Sequence, residues 1–414
     1  MVAVGKLSVT SAGHDARSRG PEIAVLLAVA RVELEASELE RIADLVAEPL
    51  DWELLLVLAE RHSLEPLLYL HLHRFGADRV PAGFLERLRV ECKTIAARNF
   101  ILASKLQSIS AHLHARGIEH ISYKGPLFAE SYYGSCALRV SNDLDLIVPP
   151  SELAAVRAAL TEIGFYDQNG LSIEQQAASF RFGFEHPFHG AGGVDLDLHW
   201  RVVQKFKSRS LDMDGIWQRV RWARLFDKDV PTFCPEDMLI ALCLHAGHHG
   251  WMQLSHFCDI AQLLRAHPKL DWEIVCSHLG DSNTRRLVYV CWYLLERHWQ
   301  VQIPEAMMAS VLADKHVARL AHRVETEIWP SADPVLTTAN LRWLVERSAG
   351  EDVMDRMSLL LGSVFQPAVE DFAMFRLPWM LAPLYPVLRA LRLAGKGASS
   401  LWQATYGASI TSSS

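Results

Sequence analysis

Two pairs of aspartates set into apolar runs are the residues best suited to chemistry in this chain. Asp143 and Asp145 border and enter Leu144-Asp145-Leu146-Ile147-Val148; Asp195 and Asp197 sit in Val194-Asp195-Leu196-Asp197-Leu198. A strand repeats its side-chain direction every second residue, so each pair projects from one face. Carboxylates placed in buried strands are costly unless paired or bound to a cation. If the two strands are neighbours, three or four carboxylates converge. An all-oxygen set of that kind suits a hard divalent cation, Mg²⁺ above all, and paired ions of that type clamp the attacking and leaving oxygens of phosphoryl chemistry. The plainer alternative is that these aspartates cap strand ends or pair with Arg139, Arg181 or Arg201. Two further pairs, Asp212/Asp214 and Asp227/Asp229, lie among charged, turn-forming residues and read as solvated. With 22 Asp in 414 residues, chance alone supplies about one such pair, so context rather than the bare motif separates the four.

A second group precedes the first carboxylates. Lys124-Gly125-Pro126 follows the extended run Ile118–Tyr123 and leads into a short helical pattern, Leu127–Tyr133. A tight turn entering a helix presents backbone N–H groups to an anion, and Lys124 adds a point charge for phosphate. Arg139 and Ser141, just ahead of Asp143, are placed to grip further phosphate oxygens. Taken alone, Lys124 is a solvated strand-end lysine.

In combination these residues resemble a known family. Tyr123-Lys124-Gly125-Pro126-Leu127, Tyr132-Tyr133-Gly134 and Leu138-Arg139-Val140-Ser141-Asn142-Asp143-Leu144-Asp145-Leu146-Ile147-Val148 are similar to the nucleotidyltransferase core of the polymerase-beta-like superfamily. More narrowly they resemble a bacterial family of uncharacterised nucleotidyltransferases, with a Lys-Gly turn, an Arg-x-Ser-x-Asp-x-Asp strand and a later Asp-Leu-His-Trp, here Asp197-Leu198-His199-Trp200. The Lys-Gly and Arg-x-Ser-x-Asp-Leu-Asp spacing also resembles the nucleotidyltransferase toxins of abortive-infection systems. Outside the core, Asp51-Trp52 with His62–Tyr69, Pro235–Leu239, His245–Trp251, Leu254 and Asp259-Ile260-Ala261 extend the likeness to about residues 45–265.

The resemblance implies that Asp143, Asp145 and Asp197 are catalytic metal ligands, with Mg²⁺ as the cofactor. It implies that Lys124 and Gly125 lie against the triphosphate of an NTP such as ATP, beside Arg139 and Ser141. The reaction implied moves an NMP to an acceptor hydroxyl and releases pyrophosphate. Much of the superfamily has Gly-Ser or Gly-Gly at the turn, where this chain has Gly125-Pro126. Proline offers neither a hydroxyl nor an N–H, which shifts triphosphate binding onto Lys124 and Arg139. It also keeps open a catalytically inactive nucleotide-binding or scaffold protein on the same fold.

The elements that must position these groups are read from periodicity. Apolar residues three and four apart predict helices over Ala24–Leu34, Glu38–Val46 and Asp51–Arg61, with Asp51 as an N-cap. A long helix is expected over Glu91–Arg116, stopped by Gly117. Strands follow at Ile118–Tyr123 and Leu144–Val148, then a helix capped by Ser151 and ending at Gly164. A hairpin is expected with arms Ser179–Phe188 and Val194–Val202 around Gly190-Ala191-Gly192-Gly193. From Pro235, placed at N1, the chain reads as helical to about Leu361. The expected fold is α+β, a small mixed-sheet nucleotidyltransferase core between helical flanks. Its expected parts are a flexible leader (1–20), an N-terminal helical region (21–95), the core (96–234), a C-terminal helical domain (235–365) and a Pro/aromatic tail (366–414), which is expected to pack on its own domain.

Composition narrows the remaining classes. Half the residues are hydrophobic and 21% are charged, which excludes a mostly disordered, coiled-coil or fibrous chain. The net charge of −7 gives no global field for nucleic acid, so a long nucleic acid is a less favoured acceptor. Seven scattered cysteines without C-x-x-C argue against a disulfide framework and predict a reducing, cytoplasmic setting. The first 20 residues lack the apolar run of a signal peptide, and no membrane span is expected. His245, His248, His249 and His256, with Asp259 nearby, form the last chemical group. They read as inter-helix hydrogen-bonding or cleft-lining residues; the competing reading is a transition-metal phosphohydrolase on His245, His249 and Asp259.

Overall fold

The computed structural model describes residues 20–75, 79–190, 192–204, 208, 211–332, 357, 361–362 and 364–406. Most of leader 1–20, Ala191 of the expected turn, the 333–356 stretch of the expected helical run and the end of the tail lie outside the described residues.

The architecture is α+β and mostly helical. Helices α1 (Pro21–Val29), α2 (Ala36–Ala47), α3 (Trp52–His62), α4 (Glu65–Leu72) and the 33-residue α5 (Ala82–His114) come first. The α/β part follows: β1 (Ile121–Ser122), α6 (Gly125–Phe128), β2 (Leu144–Ile147), α7 (Leu153–Glu162), β3 (Phe165–Asp167), α8 (Ile173–Phe182), β4 (Glu185–Gly190) and β5 (Val194–His199). Next are α9 (Met213–Gln218) and the hairpin β6 (Arg221–Leu225) with β7 (Lys228–Thr232). Helices α10 (Pro235–His248), α11 (Leu254–Ala266), α12 (Trp272–Ser277), α13 (Ser282–Trp299), α14 (Glu305–Ala313) and α15 (Lys315–Arg323) complete the second helical group. The described tail holds α16 (Val369–Met374) and α17 (Tyr385–Tyr406).

The five-stranded sheet has the order β1-β2-β5-β4-β3. β2 and β5 run parallel, while β1–β2, β5–β4 and β4–β3 are antiparallel. The parallel register sets Leu144 beside Leu196, Asp145 beside Asp197 and Ile147 beside His199. Leu144, Leu146, Leu196 and Leu198 turn to the other face, where they pack with Leu102, Leu106, Ile109 and Leu113 of α5 and with α7. One face of the sheet is thus a core and the other carries the polar residues. A second apolar core joins α1–α4 to α10–α15 and reaches Tyr123 and Phe128. It closes the polar side of the sheet with helices.

Several local expectations hold for identifiable reasons. The Asp51 side chain accepts the Leu54 N–H at 3.0 Å and caps α3. Gly117 (φ 68°) ends α5: its N–H reaches His114 O at 2.9 Å and the Ile118 N–H reaches Leu113 O at 3.1 Å, the paired bonds of a Schellman stop. That cap also shortens β1, because Ile118 is occupied by the helix end.

Others are corrected. The long helix starts at Ala82, after Pro81, rather than at Glu91. Ser151 does not cap α7: Pro150–Glu152 form a 3₁₀ turn and Glu152 takes the N-cap position. The first hairpin arm begins at Glu185, since residues 173–182 are helical. Ser172 and Gln175 exchange hydrogen bonds there as a capping box, which nucleates α8. β5 ends at His199, not Val202. The hairpin β6–β7 was not expected; its turn carries Asp227 while Asp229 pairs with Arg224.

All seven cysteines are free thiols. Among the described residues, no helix is long and apolar enough to cross a membrane.

Candidate active site

The sheet register brings the two expected carboxylate strands together. Asp145 and Asp197 are direct neighbours across β2 and β5, and both line a cavity of about 400 Å³. Asp143, two residues earlier on the same face, lines it too, as do Lys124, Gly125, Arg139 and Ser141. All seven predicted site residues therefore meet in one cleft. Asp195 does not: its carboxylate binds His189 on β4 at 2.6 Å and stands outside the cavity lining. No arginine hydrogen-bonds the three cleft aspartates among the described contacts. The partners of Asp145 are Lys124 Nζ and His199 Nε2, each 3.0 Å from its Oδ1.

His199 is the residue that sequence reasoning passed over. It stands two residues after Asp197 on β5, so period-two geometry gives it the same face. Its Nε2 donates to Asp145. Its Nδ1 is buried without a hydrogen bond, 3.4 Å from Glu185 Oε2. Ligand atoms of Asp145, Asp197 and His199 lie within 4.8 Å of one another. Glu185, opposite His199 in the antiparallel register, was likewise missed.

The electrostatics of the cleft are lopsided. Asp145 is 4% exposed; burial alone would raise its pKa, but the Lys124 charge and the His199 hydrogen bond outweigh it and hold the carboxyl well below its usual range. Across the register, Asp197 is pushed up to about 6 by burial, with Asp145 and Asp143 adding to it. Asp143 and Glu185 are raised as well, burial first and neighbouring carboxylates next. His199 is raised despite its burial, because Asp145 and Glu185 favour its charged form. Lys124 and His199 thus offset charge at Asp145 and Glu185 and leave Asp143 and Asp197 raised by burial and by their carboxylate neighbours. Two carboxylates and an imidazole at ligand spacing, with negative charge to relieve, fit a divalent cation.

The turn after β1 differs in detail from a helix-end anion site. Gly125 takes φ 66°, which favours glycine, and its Cα faces Asp143 O. α6 has only four residues, and Pro126 at its second position has no N–H. Arg139 also has other commitments. Its Nε lies 2.9 Å and Nη2 2.8 Å from the Asp259 carboxylate, and Nη1 reaches Ser141 Oγ at 3.2 Å. Tyr133 donates to the same Asp259 at 2.6 Å. This buried junction ties the segment leading into β2 to α11.

The histidines form the opposite wall. His245, His248, His249 and His256 all line the cavity, with His245–His249 and His245–His256 ring centroids 4.5 and 4.9 Å apart. Burial, then the Lys124 charge, keeps His245 well below its ordinary pKa; burial does the same to His256. Lys124 Nζ is 3.3 Å from His245 Nδ1. The phosphohydrolase grouping of His245, His249 and Asp259 does not assemble, because Asp259 is held by Arg139 and Tyr133. The group at ligand spacing among the described residues is instead Asp145, Asp197 and His199.

A family model described as an uncharacterised nucleotidyltransferase matches residues 48–300. No curated protein matches the chain significantly.

Proposed function

The chain belongs to this uncharacterised nucleotidyltransferase family, and from that membership we propose that it transfers an NMP from an NTP to an acceptor hydroxyl, releasing pyrophosphate. The observation that carries the reading is the register that sets Asp145 against Asp197 with Asp143 on the same wall. These three carboxylates, with His199 beside them, would hold Mg²⁺. When bound, Mg²⁺ supplies charge that stabilises the phosphoryl oxygens in the transition state. Lys124 offsets charge on the departing pyrophosphate. Arg139 acts mainly through its buried contacts with Asp259 and Ser141, which fix the segment carrying Asp143. Asp197 is the carboxylate we assign to take the acceptor's proton, since burial, with Asp145 and Asp143 beside it, pushes its pKa up to about 6 in the cation-free cleft. The O–H bond breaks as the acceptor oxygen bonds the α-phosphorus and the α–β bridging bond opens.

The test is pyrophosphate release from each of the four NTPs with Mg²⁺, followed by labelled-nucleotide transfer. Asp143→Asn with Asp145→Asn should abolish both; survival of turnover in that double variant overturns the assignment. A second reading, a nucleotide-binding protein without turnover, draws on Pro126 at the turn. It expects Mg²⁺-dependent NTP binding and no pyrophosphate release from the unmodified protein.

A further inference from the structure

We infer that Lys124 acts as a tethered counter-ion that disfavours a bare divalent cation in the cleft and passes from Asp145 to the triphosphate when the cation arrives chelated to an NTP. The inference rests on the nucleotidyltransferase reading and deepens it.

The argument starts from one oxygen. Asp145 Oδ1 receives two donors, Lys124 Nζ and His199 Nε2, both at 3.0 Å. The carboxylate central to any cation site is therefore already partnered. An ion arriving alone at this carboxylate, which is only 4% exposed, either displaces the ammonium from Oδ1 or binds beside it as a like charge, in surroundings where unit charges interact strongly.

A cation arriving with a triphosphate meets a different balance. The triphosphate oxygens give Lys124 a new anionic partner in the same cavity, so it releases Asp145 without losing compensation. The ammonium is a compact charge on a flexible stem, suited to such a transfer.

The second contact of Lys124 makes the transfer feasible. An ammonium has three donors and no acceptor, so His245 Nδ1, at 3.3 Å, must be an acceptor and its ring neutral. His245 sits on α10, across the cleft from β2. It gives Lys124 a neutral partner that draws it off Asp145 without contributing an opposing charge. Lys124 is thus suspended between a carboxylate on the metal side and an imidazole on the helical side. His245 is a positioning residue here.

The signs of two substitutions follow, and they are opposite. Lys124→Met removes the competing charge, so nucleotide-free protein should bind Mn²⁺ about tenfold more tightly or better, the scale of one nearby charge. His245→Leu removes the neutral partner and leaves Lys124 wholly on Asp145, so bare Mn²⁺ should bind more weakly, by about twofold to threefold. General damage to the fold does not move two neighbours in opposite directions.

The experiment measures free Mn²⁺ by its paramagnetic resonance signal against unmodified protein, K124M and H245L, all without nucleotide. Calorimetry then measures binding of α,β-methylene-ATP with Mn²⁺ and with chelator. The expected result is tighter bare Mn²⁺ in K124M together with weaker binding of the Mn²⁺–analogue complex. Bare Mn²⁺ binding that is unchanged or weakened in K124M, with the complex still bound by unmodified protein, overturns this inference alone. If unmodified protein and K124M bind neither bare Mn²⁺ nor its analogue complex, the nucleotidyltransferase reading falls and this inference with it.

Discussion

Two buried carboxylate sites in this molecule use similar residues to opposite ends. In the cleft, Asp145 meets Lys124 and His199, Glu185 shares that same His199, and Asp143 and Asp197 crowd the wall with no ion pair of their own among the described contacts. In the first turn of α10, Asp237 is 1% exposed and fully partnered. Arg219 reaches it at 3.0 and 2.9 Å, His278 Nε2 at 2.9 Å and Cys234 Sγ at 3.1 Å. Burial would raise the Asp237 pKa, but His278, Arg219 and Cys234 outweigh it and lower it. One carboxylate surrounded by enough fixed donors is a strut. Several carboxylates with too few donors, open to a cavity, are a binding site. The difference lies in how fully the lone pairs are satisfied, since an unsatisfied buried charge is tolerated only where something else completes it.

The sharpest way to break that contrast is to remove one charge from each site. Asp197→Asn should lower NMP transfer by about 10³-fold, the scale of losing a group that supports transition-state charge. Its melting temperature should stay level or rise, because a repelled carboxylate has gone. Asp237→Ala should do the reverse. Breaking a buried pair from one side costs about 3–5 kcal/mol, read as a fall in the urea midpoint, with the remaining folded protein still able to turn over substrate. If Asp197→Asn destabilises the fold as much as Asp237→Ala, the cleft carboxylates are structural and the contrast fails.

How much of this was legible from sequence depends on the range of the interaction. Asp143, Asp145 and Asp197 were readable because a strand's period of two and an apolar frame are local signals. His199 carried the same signal, two positions beyond Asp197, but was absorbed into the Asp-Leu-His-Trp run that supplied the family likeness. The end of α8, Ser179–Phe182, reads as the start of a strand although Ser172 and Gln175 stand at capping-box spacing. The Arg139–Asp259 junction was not legible: its partners are 120 residues apart, and no spacing rule spans that distance. Arg139 was therefore assigned to phosphate, where charge alone would put it. The shared core of early and late helices was hidden for the same reason, since apolar periodicity shows that a face is buried and not against what.

A pH series sharpens the comparison with a third buried polar point. His62 is fully enclosed; the Leu254 N–H donates to its Nδ1 at 3.2 Å and its Nε2 faces Trp329 O at 3.0 Å. Nδ1 is thus the acceptor and Nε2 carries the proton, so the ring is neutral and satisfied. Burial brings its pKa down to about 4. The unfolded chain therefore binds this proton first, near 6.5. Its contribution is complete above that value and is lost as pH falls from 6.5 towards 4. At pH 5 the loss is about 2 kcal/mol. Urea unfolding at pH 7.5 and 5 should show it, and His62→Gln should flatten the slope. An equal slope in that variant would assign the acid sensitivity elsewhere.

The smallest effect belongs to a carboxylate that is satisfied but exposed. Asp51 accepts the Leu54 N–H at 3.0 Å, and its own N–H donates to Glu22 at 2.9 Å, which links the start of α3 to α1. Asp51→Ala removes only the first of these bonds, because the second uses the backbone. Water can replace the lost acceptor at an exposed helix end, so no buried group is orphaned. The cost should be about 1 kcal/mol, the usual value of an N-cap side chain, and Asp51→Ser should restore most of it. A loss as large as that of Asp237→Ala would mean that exposure does not decide the cost of removing a carboxylate, and the distinction between strut and cap would fail with it.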